Sequence, residues 1–152
     1  NEKNIILETE HGPFGGDEIN LIDLNKKKLQ NFGWPIASYG NHYKQTLEKN
    51  KIKYPLLKSH RDNGFEEPLR WFTPALGISE ILKIDNNKYI LASMRSKSFY
   101  IFELDVNNKI SNFKQYIIGE RIRDLARNEK DVFLFLENTA SIGILKNVVN
   151  LN

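Results

Sequence analysis

The sequence predicts an all-β protein, and three observations lead to that prediction. Short segments rich in Ile, Phe, Tyr and Val recur along the chain, and these residue types suit a pleated, half-buried surface. The segments are separated by typical turn residues, as at 85–88, 105–108 and 128–131. Segments with the apolar spacing of a helix are nearly absent.

Ten strands are expected, and in chain order they are 4–9, 18–23, 71–73, 78–84, 89–94, 98–104, 113–118, 122–126, 132–137 and 141–145. The run from 78 to 118 is typical of one four-stranded blade of a β-propeller, which takes about 40–45 residues. By that measure the chain holds roughly three to three and a half blades. A propeller needs all its blades to close the ring, so the chain is either a fragment or an unusual half-ring. A β-sandwich also has many short strands and is the architectural alternative.

Residues 34–69 have weak periodicity and contain Pro35, Pro55 and Pro68. We interpret this segment as a long ordered loop. Loops of that length inside a compact domain are uncommon and are often functional.

Composition excludes several classes of function. The chain has no cysteine, which rules out disulfides, thiol catalysis and cysteine-bound metal. No apolar run approaches the roughly 20 residues that span a bilayer, so we expect no membrane insertion. The stretch from 44 to 61 is rich in lysine and could suit an anionic partner, but no arginine-rich helix or RNA-binding aromatic motif accompanies it. We therefore interpret it as a solvated loop and expect no nucleic-acid partner. His11, His42 and His60 are too scattered for a zinc motif.

A set of ordered motifs carries a family resemblance. The segments are TEHGPFGGDEIN at 9–20, NFGWP at 31–35, SYGNHY at 38–43, LASMR at 91–95 and GERIRD at 119–124. In this order they resemble the glucose/sorbosone dehydrogenase family, which includes the soluble aldose sugar dehydrogenases of bacteria that depend on pyrroloquinoline quinone (PQQ). The resemblance extends from residue 4 to about residue 146.

The resemblance implies a six-bladed β-propeller, of which residues 1–152 would form one partial-propeller domain, roughly the C-terminal half. It implies a periplasmic or secreted enzyme that oxidises an aldose to a lactone at the anomeric carbon, with PQQ and Ca²⁺ as cofactors and an unidentified electron acceptor. The family's catalytic base is a histidine of an earlier blade. No catalytic residue is therefore expected in this chain, and the chain alone should be inactive. No signal peptide lies in this stretch.

The cofactor-binding residues implied by the resemblance are Tyr43, Ser93, Arg95, Arg121 and Arg123. Arg121 and Arg123 alternate with Ile122, and in a strand residues two apart lie on the same face. Two guanidinium groups side by side repel each other, so we expect an anion between them. PQQ has three carboxylates that arginine can bind in a bidentate manner. The alternatives are a solvated sheet edge for the arginines, with Asp124 as their partner, and a partly exposed loop position for Tyr43.

The metal-binding residues implied by the resemblance are Gly12, Pro13, Glu18 and Phe32. The carbonyl oxygens of Gly12 and Pro13 would bind the Ca²⁺ that touches the quinone, since calcium prefers hard oxygen ligands. Glu18 would bind a second, structural Ca²⁺ together with a tyrosine that is Phe32 here, so only its main-chain carbonyl could serve. From the residues alone, Phe32 and Trp34 are expected to pack in the core.

The chain departs from the family pattern at Phe32, Phe72, Ala75 and Arg95. These departures keep open a second interpretation, a non-catalytic binding propeller that has lost PQQ. Under the main interpretation, the Gly12–Pro13 turn and the two arginines should meet at one pocket for the metal and the cofactor.

Overall fold

The computed structural model describes residues 4–43 and 56–151, and the all-β prediction is confirmed. Every predicted strand is present, with ends within three residues of those expected. The strands are β1 (Ile5–Glu10), β2 (Asp17–Asp23), β3 (Arg70–Phe72), β4 (Ile78–Lys83), β5 (Lys88–Ser93), β6 (Ser98–Leu104), β7 (Ile110–Ile117), β8 (Ile122–Asn128), β9 (Asp131–Leu136) and β10 (Ser141–Leu145). The helices within the described residues are two short 3₁₀ turns, Arg61–Asn63 and Val148–Asn150, and none of them could cross a bilayer.

The strands form three antiparallel sheets, in which each strand pairs with the next along the chain. Their orders are β1-β2-β3, β4-β5-β6-β7 and β8-β9-β10. The predicted four-stranded sheet is therefore confirmed, from Ile78 to Ile117. The chain divides into two compact units, Asn1–Leu76 and Gly77–Asn152, which are described separately.

The first unit consists of the β1-β2-β3 sheet and the long connection between β2 and β3. The predicted loop at 34–69 contains no strand in its described parts, 34–43 and 56–69. These two described parts are nevertheless ordered by backbone pairing, since Ala37 pairs with Leu57 and Phe14 pairs with Asn41. Residues 44–55 of this loop lie outside the described residues.

The second unit consists of two sheets that share one apolar core. The strands of both sheets and the segments that follow β4 and β10 contribute buried residues to it. These residues are Ile84, Ile90, Ala92, Phe99, Ile101, Ile122, Leu125, Val132, Leu134 and Val148. Burying each large side chain of this kind contributes about 1.5–3 kcal/mol. The core holds β8 against the neighbouring sheet.

Each of the strands β4 and β8 has an irregularity near its start. Ile78 pairs with Ser93 and Glu80 with Ala92, which leaves Ser79 as an extra residue in β4. In β8, Arg123 is the corresponding extra residue. The two bulges are linked, because Ser79 Oγ donates a hydrogen bond of 2.6 Å to the carbonyl oxygen of Ile122. A bulge of this kind redirects the side chain that it carries.

Candidate functional site

A tight glycine-rich turn, residues 12–17, connects β1 to β2 and is called the glycine corner below. The backbone amide of Gly12 donates to Oδ1 of the buried Asp17 at 3.1 Å. A Cβ atom on Gly12 would overlap the carbonyl oxygen of Gly15, and one on Gly16 would overlap the backbone of Gly40. Only glycine permits this close approach of backbone segments, so the local sequence fixes the shape of the turn that contains Gly12 and Pro13.

Tyr43 stands beside the glycine corner. Phe14 and Asn41 exchange two backbone hydrogen bonds of 2.9 and 3.0 Å, and the ring of Tyr43 packs edge-on against Phe14 with 6.0 Å between centroids. Tyr43 is 58% exposed and Phe14 is 44% exposed. The structure therefore brings a predicted cofactor residue next to the predicted calcium turn, with aromatic surface available to a planar ligand.

Glu18 belongs to a carboxylate cluster that we define as Glu8, Glu10, Glu18 and Asn20. Glu10 lies opposite Glu18 and Glu8 lies opposite Asn20 in the β1–β2 pair, so the four side chains share one face of the sheet. Asn20 Nδ2 donates to Glu8 Oε1 at 2.7 Å. Burial, followed by the charges of Glu10 and Glu8, raises the pKa of Glu18 to about 8. Burial and the neighbouring Glu8 also raise the pKa of Glu10.

His60 completes the surroundings of Glu18. Its ring is fully buried and Nε2 lies 3.4 Å from Glu18 Oε1. Among the residues that the structure describes, neither ring nitrogen has a hydrogen-bond partner. Burial lowers the pKa of His60 despite the opposing effect of Glu67. Gly33 packs against the same ring, which brings the segment of Phe32 and Gly33 to the surroundings of Glu18.

An aromatic wall adjoins this cluster. Trp71 lies opposite Glu18 in the sheet and stacks on Tyr39 with 4.0 Å between ring centroids. The hydroxyl of Tyr39 donates to Glu67 at 2.8 Å, and burial together with this carboxylate raises the pKa of Tyr39 to about 12. Burial alone would raise the pKa of Glu67, but hydrogen bonds from the Arg61 amide and from Tyr39 outweigh it, and the pKa is lowered.

The core-packing prediction was right for Phe32 and wrong for Trp34. Phe32 is buried at 8% exposure, whereas Trp34 is 54% exposed. An aromatic residue type does not decide which side of a turn faces solvent. Phe72, one of the departures from the family pattern, is buried, whereas its neighbour Trp71 is 47% exposed.

The surroundings of Glu18 contain oxygen atoms of the kind that calcium prefers. Asn20 Oδ1 is buried without a hydrogen-bond partner, and the carboxylates beside it are hard oxygen donors. The described residues contain no group of three or more His, Asp or Glu side chains placed to hold a metal. A calcium ion here would therefore also need amide or main-chain oxygens, such as Asn20 Oδ1 and the predicted carbonyl of Phe32.

Arg121 and Arg123 form a couple in the second unit, and the anion between them is Glu137. Glu137 Oε2 accepts a hydrogen bond from Arg121 Nε at 3.0 Å and lies 2.9 Å from Arg123 Nη2. Both guanidinium groups also contact the sulfur of Met94, at 3.6 and 3.2 Å. The hydrogen bond from Arg121 is the main cause that lowers the pKa of Glu137, so this carboxylate stays ionised.

Two details of the arginine prediction are corrected. Arg121 precedes β8 and Arg123 is the extra residue of a bulge, so regular strand alternation is not what brings the two side chains together. Asp124, offered as their possible partner, instead accepts a hydrogen bond from the amide of Leu125 at 2.8 Å. The side chains of Arg121 and Arg123 remain 40% and 57% exposed, so a ligand can reach them.

Ser93 and Arg95, both implied cofactor-binding residues, lie in different surroundings. β5 ends at Ser93, and Arg95 lies in the following turn. Ser93 is fully buried, and its Oγ accepts hydrogen bonds from the amide and the hydroxyl of Ser96 at 3.1 and 2.6 Å. Arg95 is exposed.

The predicted site residues fall into both units. Gly12, Pro13, Glu18, Phe32 and Tyr43 belong to the first, and Ser93, Arg95, Arg121 and Arg123 belong to the second. Within the units, the structure brings Tyr43 to the glycine corner, Phe32 to the surroundings of Glu18, and Arg121 to Arg123. The meeting of the glycine corner and the arginine couple at one pocket stays a prediction. Sequence reasoning missed Asn20, His60, Met94 and Glu137.

Comparison with known proteins points to one family. The model of the Glucose / Sorbosone dehydrogenase family matches residues 1–146. The aldose sugar dehydrogenase YliI of Escherichia coli is 27% identical over 154 aligned positions, which cover 95% of this chain and 38% of that protein. An uncharacterised protein of Synechocystis is 28% identical over 124 residues, covering 77% of this chain and 27% of that protein.

Two solved structures have a similar fold. A crystal structure of a glucose dehydrogenase superposes with a TM-score of 0.71 at 25% identity. The soluble aldose sugar dehydrogenase of Escherichia coli in its apo-form superposes with a TM-score of 0.68 at 23% identity. Each comparison covers 92% of this chain and 40% of the other. The chain thus spans no more than about two fifths of the length of the relatives that it matches.

Proposed function

Because the chain belongs to the glucose/sorbosone dehydrogenase family, we propose that it supplies cofactor-binding surfaces to a quinoprotein that oxidises an aldose sugar. The reaction proposed is oxidation of the anomeric carbon to a lactone, with hydride transfer to PQQ. The name of the Escherichia coli relative, an aldose sugar dehydrogenase, supports this substrate class. The single observation in the structure that carries the proposal is the arginine couple.

The arginine couple would bind carboxylates of PQQ. Two guanidinium groups within 3.0 Å of one carboxylate oxygen form a concentrated, partly exposed site for anions. Arginine binds planar carboxylates through paired N–H donors, and PQQ is a planar tricarboxylate. Arg95 and the region of Ser93 would add contacts from the end of β5. Tyr43 would offer its exposed ring and hydroxyl to the quinone.

Calcium would be bound at the two places that the resemblance implies. The carbonyl oxygens of Gly12 and Pro13 would hold the ion next to the cofactor, and the rigidity of the glycine corner supports that assignment. Glu18, Asn20 and the carbonyl of Phe32 would hold a structural ion, supported by the unsatisfied oxygen of Asn20. When bound, PQQ supplies the hydride acceptor and calcium supplies Lewis-acid polarisation, while the residues of this chain bind and orient.

The whole protein proposed is a six-bladed propeller in the periplasm or outside the cell, with a base histidine in a part of the fold not contained in these residues. The outer face of the β8-β9-β10 sheet supports further blades. Phe135, Ile142 and Ile144 lie on that face and are 39%, 59% and 50% exposed. An apolar sheet face of this kind is stabilised when another sheet covers it. The chain alone should be inactive, and its electron acceptor is not identified.

The test uses the full-length protein supplied with PQQ and Ca²⁺, and it measures sugar-dependent reduction of a dye. We expect activity in the wild type and its loss, together with loss of PQQ affinity, in an Arg121→Ala/Arg123→Ala double variant. Arg127→Ala is the matched control, because Arg127 lies on the same strand and donates instead to the carbonyls of Glu129 and Lys83. No activity and no PQQ binding in the wild type would favour the non-catalytic binding propeller.

A further inference from the structure

We propose that Glu137 is a positioning residue that holds the two guanidinium groups of the arginine couple at the spacing needed by a ligand with several carboxylates. The inference rests on the proposed function of Arg121 and Arg123 as anion-binding residues. It assigns to Glu137 a role that acts through the arginines and not through direct contact with the cofactor.

The geometry around Glu137 fixes both arginines from one side. A single oxygen, Oε2, accepts from Arg121 Nε at 3.0 Å and lies 2.9 Å from Arg123 Nη2. The main chain of Glu137 is itself tied to that of Arg121, because the amide of Glu137 donates to the carbonyl of Arg121 at 2.9 Å. Met94 contacts both guanidinium groups as well. The couple is therefore assembled before any ligand arrives.

The fixed geometry leaves most of the arginine donors available. Each guanidinium has five N–H groups, so the couple offers about ten. The contacts of Glu137 occupy one N–H group of each arginine, and Met94 contacts one further nitrogen of each. A ligand carboxylate can thus bind beside Glu137 without displacing it. For this reason we assign a positioning role and not competition with the ligand.

The reach of Arg123 depends on the linked bulges described above. Arg123 is the extra residue of the β8 bulge, and the Ser79 hydroxyl is bonded to the carbonyl of the preceding Ile122. Without a carboxylate near both arginines, the two positive charges would repel each other and these long, half-exposed side chains would separate. Glu137 offsets that repulsion and leaves the trio of side chains with a net charge of about +1 at neutral pH, as expected for two arginines and one carboxylate.

The experiment measures binding of two probes to the full-length protein by calorimetry, with Ca²⁺ present throughout. The probes are PQQ and benzene-1,3,5-tricarboxylate, which has three carboxylates and no quinone. We expect Glu137→Ala to weaken both affinities about tenfold or more. Glu137→Gln should recover only part of that loss, because its amide oxygen can still accept from the arginines but no longer offsets their charges.

Glu120→Ala provides the control for a change in net charge. Glu120 Oε2 accepts from the amide and hydroxyl of Thr139, and within the described residues it forms no ion pair with either arginine. We expect the affinity of Glu120→Ala for both probes to match that of the wild type. A melting temperature within a few degrees of the wild type would exclude unfolding as the reason for a loss in Glu137→Ala.

The outcomes separate this inference from the proposed function. Equal or tighter binding of PQQ by Glu137→Ala would overturn the positioning role while leaving the PQQ proposal intact. Equal losses in Glu137→Ala and Glu137→Gln would also overturn it, since glutamine keeps an acceptor. The wild type could also bind the tricarboxylate but not PQQ, with the variants weakening tricarboxylate affinity as expected above. In that case the positioning role stands and the PQQ proposal fails. Binding of neither probe would overturn both.

Discussion

The carboxylate cluster of the first unit and the arginine couple of the second unit both gather like charges, but those charges are balanced differently. Glu18 is buried and its carboxylate neighbours Glu8 and Glu10 are half-buried. Within the described ranges, the ion pair of Glu18 is the 3.4 Å approach of His60, whose pKa is lowered by burial. Around Arg121 and Arg123 the charges are half exposed and Glu137 already lies between them.

The contrast indicates which region depends on a ligand. A buried carboxylate without a cationic partner is costly, so it either takes up a proton or binds a cation. The raised pKa of Glu18 and the unsatisfied Asn20 Oδ1 are both signs of that free-energy cost. The arginine couple carries its own counter-charge in water, where exposed ion pairs contribute little to stability. We therefore expect the first region to respond strongly to calcium and the second to respond mainly in ligand affinity.

The largest expected effect is that of calcium on stability. Without PQQ, chelation of Ca²⁺ from the full-length protein should lower the melting temperature by several degrees. A ligand at 100 times its dissociation constant contributes about 2.7 kcal/mol to the folded state. Scanning calorimetry with and without chelator measures the shift. Glu18→Gln should lose most of this calcium response, whereas Glu129→Gln, in an exposed turn, should keep it. If calcium shifted the melting temperature of Glu18→Gln as much as that of the wild type, the proposal of a cation site at Glu18 would be contradicted.

The next effect is a pH dependence in the calcium-free protein. The pKa of Glu18 is raised in the folded state from 4.5 to about 8, so the folded state binds the proton more tightly than the unfolded state. This contribution to stability is lost as pH rises toward 8. Above pH 6.5 His60 opposes this slope only weakly, because its lowered pKa keeps it neutral in the folded state and the unfolded imidazole, with its ordinary pKa of 6.5, is already at least half deprotonated. The melting temperature should therefore fall between pH 6.5 and 8.

Glu18→Gln sharpens this pH prediction. Glutamine has no proton to release, so the slope between pH 6.5 and 8 should largely disappear in the variant. Calcium should flatten the wild-type profile in the same way, because the ion favours the ionised carboxylate. Melting curves in matched buffers measure both effects. A calcium-free wild-type profile that is already flat in this window would contradict the account of the cluster.

The smallest expected effect concerns the ligand-free arginine couple. Arg121→Ala should change the melting temperature by less than about 2 °C, because exposed ion pairs contribute little and are screened by salt. Thermal unfolding at low and at physiological salt tests this expectation. A large loss of stability would mean that the couple is structural, and the contrast between the two regions would then fail.

The strands could be predicted from the sequence because their signal is local. β6 and β10 have the predicted ends, because turn residues bound the nearly continuous apolar run of β6 and the alternating apolar residues of β10. β7 begins three residues before the predicted start because Ile110 pairs with Leu104 across the hairpin, which is a matter of partner register and not of the local pattern.

The site was less predictable because the residues that contact one another there are distant in sequence. His60 lies 42 positions after Glu18 and reaches it through the long connection between β2 and β3. Glu137 meets Arg121 and Arg123 only through the register of β8 with β9 and the bulge at Arg123. The alternation of Glu8, Glu10, Glu18 and Asn20 was visible in the sequence, and a paired β1–β2 register would have indicated the cluster.

A titration of the full-length protein with PQQ, with Ca²⁺ and then with chelator, tests the central claim most directly. We predict binding that requires calcium and is lost in the Arg121→Ala/Arg123→Ala double variant. Binding that is indifferent to both the ion and the arginines, or no binding in the calcium-loaded wild type, would contradict the account.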